Sequence, residues 1–162
     1  MGRYKNSAPA AMGGTKGKRR SPVKRAPVRS WAQTCEDTGA AQATIIGLVP
    51  PSPNSVRREH HMARHRRVLQ ERHEVGVALL FARLPALPVT VTITRCSVGS
   101  LDIDNLWGSQ KAVIDAVAQR LGIDDKDARV TWQVQQRKCP RAEVGTVIKF
   151  ERRVEASVSG GT

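Results

Sequence analysis

The acidic side chains of this chain are concentrated in one short segment. The sequence has 27 Lys and Arg against 14 Asp and Glu, a formal net charge of +13, yet six of the 14 acids lie between residues 102 and 127. Carboxylate oxygens are the ligands that Mg²⁺ and Mn²⁺ prefer, and such cations usually also bind waters and substrate phosphates. A strongly basic protein attracts polyanions. The combination predicts a metal-dependent nuclease.

Asp102 and Asp104 have the spacing of two ligands for one cation. They follow the run 88–95, which is rich in β-branched residues and predicts a strand. If the chain is still extended there, residues two apart point to the same side, so both carboxylates face one metal. The alternative is that these acids only cap the helix that follows.

The segment after these acids has the pattern of an amphipathic helix. Asp104 or Asn105 is its expected N-cap, because both residue types accept hydrogen bonds from backbone N–H groups at helix starts. The apolar residues continue to about Leu121, and Gly122 is a favourable residue for ending a helix. Lys111 lies seven residues after Asp104, close to two turns, and therefore returns to nearly the same face.

Lys111 has two interpretations. Beside metal-bound carboxylates, a lysine can steer a phosphate group or stabilise the charge that develops during attack on it. Alternatively, Lys111 pairs with Asp115, four residues later, on a solvated helix face.

Together these residues resemble the signature of the RusA family of Holliday-junction resolvases. That signature combines an Asp-x-Asp-Asn motif, a Lys and an Asp-Ala pair on the following helix, and a Gly-hydrophobic turn that ends in an acidic residue before a strand. The corresponding residues here are Asp102-Ile-Asp104-Asn105, Lys111, Asp115-Ala116 and the segment 122–130. Upstream, residues 49–55 (VPPSPNS) resemble the Pro-Pro-Ser-x-Asn segment that follows the family's first strand. The matches span about residues 44–154, in the family's order.

The resemblance implies a Mg²⁺-dependent endonuclease, with Mn²⁺ as a possible substitute, that resolves branched DNA (Holliday junctions) in recombination and repair. It also implies a homodimer whose paired active sites nick opposing strands. The catalytic residues would be Asp102, Asp104, Lys111 and Asp127, with the metal held by Asp102, Asp104 and a third carboxylate. Ungapped counting from the glycine of the turn selects Asp127 for that third position, whereas the adjacent Asp-Asp pair selects Asp125.

The position of Lys111 departs from the family pattern. In typical members the Lys follows the second Asp by one helical turn, whereas Lys111 lies two turns away, as if Trp107-Gly108-Ser109 were inserted. This spacing favours a competing interpretation, a noncatalytic basic nucleic-acid-binding protein in which the acids only cap the helix and face solvent.

The chain is expected to form a single folded domain preceded by a basic tail. The first 30 residues contain nine Lys and Arg and no acid, and such a segment cannot bury enough apolar surface to order itself, so residues 1–43 are predicted to be flexible. They would contact DNA phosphates through cations such as Lys18, Arg19 and Arg20; the alternative is a merely solvated leader. Residues 44–155 would be the nuclease domain, and residues 156–162 a flexible end.

The domain is expected to be a small α/β domain with a mixed sheet of about four strands and two main helices. Strands are predicted at 44–49, 88–95, 130–136 and 144–154, and helices at 59 to about 83 and from the cap at 104 or 105 to about 121. Cations that suit phosphate contacts lie in and just before the first helix: Arg57, Arg58, Arg64, Arg66 and Arg67. The alternative is a solvated charged face, balanced by Glu59, Glu71 and Glu74.

The composition favours a cytoplasmic location, and the resemblance implies a bacterial or phage-infected cell. No apolar run has the length of a membrane-spanning helix, and no membrane partner is expected. Three widely spaced cysteines fit neither a disulfide framework nor a zinc site and suit a reducing compartment: Cys35, Cys96 and Cys139.

Overall fold

Five strands and two helices make up the computed structural model, which describes residues 28–34 and 40–153. The strands are β1 (Arg29–Thr34), β2 (Ala41–Ile46), β3 (Val89–Ser97), β4 (Val130–Lys138) and β5 (Gly145–Arg152), and the helices are α1 (His61–Leu79) and α2 (Ile103–Leu121), with a 3₁₀ helix at Arg141–Glu143. The expected small α/β architecture with two helices is confirmed. The described sheet has five strands rather than about four.

The strand order in the sheet is β1-β2-β5-β3-β4. β3 and β4 are parallel, and the other neighbouring pairs are antiparallel. Parallel neighbours cannot be joined by a tight turn and need a long crossover connection. That connection is α2, which therefore starts near the end of β3 and finishes near the start of β4.

Both helices pack on the same face of the sheet. Arg72 of α1 forms an ion pair with Asp115 of α2, and Arg120 Nε donates to the carbonyl oxygen of Leu79 at 3.3 Å. Because later residues of α1 meet later residues of α2, the two helices run in the same direction. Their buried side chains form one core with those of the strands: Val75, Leu79, Val113, Val117, Val91, Ile93, Ile148 and Phe150. Within residues 28–34 and 40–153, no helix is long and apolar enough to cross a membrane.

The expectation of a flexible tail over residues 1–43 is wrong for part of that range. β1 and the first residues of β2 lie inside it, and β1 pairs with β2 along its whole length. Five of the six β1 residues are exposed, so the strand depends on pairing with β2 more than on apolar burial, and its composition does not reveal it. Residues 1–27 and 156–162, also expected to be flexible, lie outside the described residues.

Two elements have boundaries that differ from expectation by three or four residues. β2 begins three residues before its predicted start at residue 44 and ends at Ile46. The chain turns there because Gly47 adopts a left-handed conformation with a φ of 88°, which glycine tolerates best. α1 ends at Leu79, four residues before its predicted end.

Two glycines give a paired test of this packing. A Cβ at Gly145 would overlap the carbonyl oxygen of Ile45 and lie 3.0 Å from the Cα of Ile46, whereas a Cβ at Gly76, inside α1, would meet nothing within 4 Å. Gly145→Ala should lower the free energy of unfolding by about 1–3 kcal/mol through overpacking. Gly76→Ala should raise it by about 0.5–1 kcal/mol through helix propensity.

Urea denaturation of the three proteins measures both effects. Equal changes in the two variants would contradict the close approach of β2 and β5 at Gly145.

Candidate active site

Asp102 is the residue that begins α2. It is the N-cap, with φ −66° and ψ 165°; its Oδ1 accepts from Asn105 N at 2.9 Å, and its Oδ2 accepts from Asn105 Nδ2 at 2.7 Å. The expected cap at Asp104 or Asn105 is therefore wrong in position, although Gly122 ends the helix as predicted, at φ 69°. The hydrogen bonds from the Asn105 backbone and then its side chain lower the pKa of Asp102, so the carboxylate stays ionised.

Asp104 consequently lies in the first turn of α2 and not in an extended segment. Successive helical residues are rotated by about 100° around the axis, so the argument that Asp102 and Asp104 point the same way along a strand is wrong. Asp104 is exposed and has no hydrogen-bond or ion-pair partner within residues 28–34 and 40–153. Its carboxylate remains available to a cation.

The loop after β2 packs against the first two turns of α2. Ser52 Oγ donates to Asn105 Oδ1 at 3.3 Å, and Pro53 lies so close to Gly108 that a Cβ there would approach Pro53 Cγ to 2.7 Å. The upstream Pro-Pro-Ser-x-Asn segment and the Asp-x-Asp-Asn motif, far apart in sequence, are therefore neighbours. Gly108 belongs to the apparent three-residue insertion, and its missing side chain makes room for Pro53.

Lys111 is held by two carboxylates. Its Nζ forms ion pairs with Asp115 Oδ1 at 2.8 Å and with Asp125, and Asp115 also pairs with Arg72. Asp115 and then Asp125 raise the pKa of Lys111, and Lys111 in turn lowers the pKa of Asp125. The alternative i,i+4 pair with Asp115 is thus present, and Lys111 lies about 10 Å along the helix axis from Asp104.

The carboxylate of Asp127 is paired with one arginine, Arg129. Its Oδ1 accepts from the backbone N and the Nε of Arg129 at 2.9 and 3.0 Å, and its Oδ2 accepts from Arg129 Nη2 at 2.6 Å. These contacts, first those of the Arg129 side chain and then that of its backbone N–H, lower the pKa of Asp127 to about 2. The turn then enters β4 at Val130, whose N donates to Asp127 O at 3.0 Å.

The acids predicted as metal ligands are not assembled into one centre. Within residues 28–34 and 40–153, no group of three or more His, Cys, Asp or Glu side chains is arranged to hold a metal ion. Asp102 and Asp104 lie at the start of α2, whereas Asp125 and Asp127 follow its end. A Mg²⁺ site of the kind that uses one or two carboxylates plus substrate phosphates fits Asp102 and Asp104. Asp125 or Asp127 could join such a site only after leaving its partner, Lys111 or Arg129.

The arginines predicted to bind DNA fall into different environments. Arg67 forms ion pairs inside the protein: its Nη2 lies 2.9 Å from Glu59 Oε2 and its Nη1 lies 3.0 Å from Glu71 Oε1. Its side chain is only 12% exposed. The balancing role considered for Glu59 and Glu71 therefore holds at Arg67. Four others are exposed: Arg57, Arg58, Arg64 and Arg66. Lys18, Arg19 and Arg20 lie outside the described residues.

Sequence reasoning missed a set of polar residues at the same end of the domain. The two helices start, and the parallel strands β3 and β4 finish, at the end of the domain that carries Asp104. The exposed arginines near the start of α1 therefore lie at the same end as Arg137, Lys138 and Arg141. Gln136 holds the backbone of Leu101, just before Asp102, by two hydrogen bonds: its Oε1 accepts from Leu101 N at 2.8 Å and its Nε2 donates to Leu101 O at 2.6 Å. The strand–helix–strand order of β3, α2 and β4 was the sequence signal that could have found these residues, because a helical crossover predicts parallel strands.

No protein-family model matches this chain, and no curated protein matches it significantly. The resemblance to the RusA resolvases therefore rests on the motifs themselves and on how the structure arranges them.

The ion pair of Asp127 with Arg129 predicts a pH effect of defined sign. The pKa of Asp127 is about 2 in the folded protein against an ordinary value of 3.8, so the pair contributes stability above pH 3.8 that is lost as the pH falls through about 2. Arg129→Ala should raise the pKa of Asp127 towards 3.8 and reduce the loss of stability between pH 4 and pH 2.

Carboxyl-carbon NMR titration measures that pKa directly. Lys126→Ala, which removes a neighbouring charge and leaves the hydrogen-bonded pair intact, is the control. An Asp127 pKa that stays near 2 in Arg129→Ala would contradict the assignment.

Proposed function

We propose that this protein is a divalent-metal-dependent endonuclease that acts on branched DNA, in the manner of the RusA resolvases. The observation that carries the proposal is the contact between Ser52 and Asn105. This contact brings together the two segments that separately resemble the family. It lies beside Asp104, the carboxylate of the Asp-x-Asp-Asn motif that has no hydrogen-bond or ion-pair partner among the described residues. Chance matches to two short motifs have no physical reason to meet at one helix terminus.

The charge distribution supports a nucleic-acid substrate. The chain has a net charge of +13, and the end of the domain that carries Asp104 also carries exposed cations from α1, β4 and the 3₁₀ helix, namely Arg64, Lys138 and Arg141. Contacts of this kind bind phosphates with release of counterions, which makes affinity strongly dependent on salt. The DNA backbone would thus be held around the start of α2.

The chemistry of the proposal divides among few residues. A Mg²⁺ or Mn²⁺ ion, when bound, supplies Lewis-acid stabilisation of the phosphate and an activated water. Asp104 offers a free carboxylate for that ion, and Asp102, whose orientation is fixed by Asn105, offers the second. Lys111 assists by its positive charge near the scissile phosphate. The third carboxylate is Asp127 or Asp125, and either one must first exchange its cationic partner, Arg129 or Lys111.

The proposal includes the assembly and setting that the resemblance implies. A homodimer would present two active sites to a four-way junction and nick opposing strands, in DNA recombination and repair. Junctions of this kind arise in the cytoplasm of a bacterial or phage-infected cell. Analytical ultracentrifugation with and without junction DNA measures the stoichiometry, and a monomer bound to a whole junction would contradict paired nicking.

A second function is favoured by one specific observation. Lys111 is paired with both Asp115 and Asp125, and the described carboxylates do not form a three-acid centre. A noncatalytic basic protein that binds nucleic acid would have this arrangement. The two functions differ in one assay, the nicking of a synthetic four-way junction with Mg²⁺ compared with binding of the same junction in EDTA.

Asp104 carries the strongest prediction of the proposal. Asp104→Asn should abolish Mg²⁺-dependent nicking and leave junction affinity in EDTA nearly unchanged, because the cations supply the affinity. Glu151→Gln is the matched control, since it also turns an exposed carboxylate into an amide, on β5 opposite the start of β3 and away from the start of α2. Nicking by Asp104→Asn at the wild-type rate would exclude Asp104 as a metal ligand.

Substitution of Lys111 distinguishes a catalytic role of this residue from a structural one. If Lys111 stabilises the transition state, Lys111→Ala should lower the single-turnover cleavage rate by about 100-fold or more, the scale for loss of one such donor. The midpoint of the Mg²⁺ titration should stay the same or fall, because a positive charge that repels the metal has been removed.

If Lys111 only pairs with Asp115, the variant should cut normally and lose a few tenths of a kcal/mol of stability, about the value of one i,i+4 pair. Lys126→Ala is the control, since it removes a lysine from the neighbouring turn.

A further inference from the structure

One face of the sheet is covered by neither α1 nor α2. The core residues Val91 and Ile93 point towards α1 and α2, and their partners in β5, Phe150 and Ile148, point the same way. Side chains alternate along a strand, so the residues between them point to the opposite side. We call that side the outer face. It is mostly polar, with Thr and Gln side chains on β3 and β4, and Thr92 Oγ1 donates to Gln133 Oε1 across it at 3.2 Å.

The outer face contains a small cavity beside an exposed tryptophan. The cavity has a volume of about 260 Å³, and its lining includes Trp31, Gln42, Thr44, Arg137 and Glu143. Trp31 is directly opposite Thr44 in the β1–β2 pair and is 48% exposed. The cavity, at about 260 Å³, is slightly smaller than the usual range for ligand sites, roughly 300–1,000 Å³, so it suits a single ring system.

The polar groups around the cavity suit a nucleobase attached to a phosphate chain. Gln42 can both donate and accept hydrogen bonds, Glu143 can accept them, and a half-exposed indole offers a flat surface for stacking. Arg137 lies at the cavity, with its Nη2 3.6 Å from the Sγ of Cys96. A lone exposed tryptophan would need no explanation, but here it borders a cavity with a cation and hydrogen-bonding groups.

The charge of the outer face favours the same ligand. Its strand positions carry three cations, Arg29, Arg137 and Lys149, against one acid, Glu151. These cations lie on β1, β4 and β5, so they are spread across the sheet around the cavity. Proteins that bind single strands combine such a basic track with aromatic rings on which bases stack.

We infer that the outer face binds single-stranded nucleic acid, with one unpaired base stacked on Trp31 inside the cavity and the phosphate chain held by Arg137 and its neighbouring cations. Duplex DNA does not offer this contact, because its bases are stacked on one another and their faces are hidden. The inference does not depend on the proposed cleavage chemistry, since it concerns a different face of the domain and involves no metal.

Binding of fluorescent oligomers in EDTA tests this site. The wild-type protein should bind oligo(dT) more tightly than an abasic strand of the same length and charge. Trp31→Ala should weaken oligo(dT) binding by about 5- to 150-fold, the scale for loss of one stacked base, and should leave duplex and abasic-strand binding nearly unchanged. Trp31→Phe keeps an aromatic ring and should lose only a small part of that affinity.

Phe81→Ala is the matched control, because Phe81 is an aromatic residue beyond the end of α1 that is 90% exposed. Equal binding of oligo(dT) and abasic strand by the wild-type protein would overturn the inference, as would unchanged oligo(dT) binding by Trp31→Ala or an equal loss in Phe81→Ala. Thermal melting shows whether Trp31→Ala is folded. If it is not, the abasic comparison and Trp31→Phe decide the question, and loss of nicking in any assay leaves these binding results unaffected.

Discussion

The parallel pairing of β3 with β4 is the constraint on which the rest of this domain depends. Parallel neighbours need a crossover, and α2 is long enough to carry the chain from the end of β3 back to the start of β4. Its direction places Asp102 at one end of the helix and Asp127 beyond the other. Acids that are close in sequence are therefore separated by the element between them, and the site at the start of α2 has two carboxylates.

Several acids within residues 28–34 and 40–153 are neutralised by specific cationic partners. Asp127 is paired with Arg129, Asp125 with Lys111, and Asp115 with both Lys111 and Arg72. Exposed pairs of this kind contribute little stability individually, so their main effect is to decide which charges remain available. Asp104 is the carboxylate of the motif that stays unpaired, next to a cap that holds its backbone in place.

The two faces of the domain suit different parts of a branched nucleic acid. The end that carries Asp104 gathers exposed cations around a helix start, which suits a phosphate backbone. The outer face of the sheet offers Trp31 and a cavity, which suit an unpaired base. A branched DNA that also carries a single-stranded segment would offer both features, so the two proposals are compatible although they are tested separately.

The sequence alone determined the elements whose signals are local. The β-branched run predicted β3, the apolar spacing and Gly122 predicted α2 and its end, and the order of these patterns predicted an α/β domain. Tertiary structure decided the rest: that Asp102 is the cap, that Lys111 reaches Asp125, that Arg67 is held by Glu59, and that residues 29–34 form a strand. The physical reason is that a helix period or a turn residue acts over a few residues, whereas the choice of partner for a charged group or an edge strand depends on which distant segments the folded chain brings within hydrogen-bonding distance.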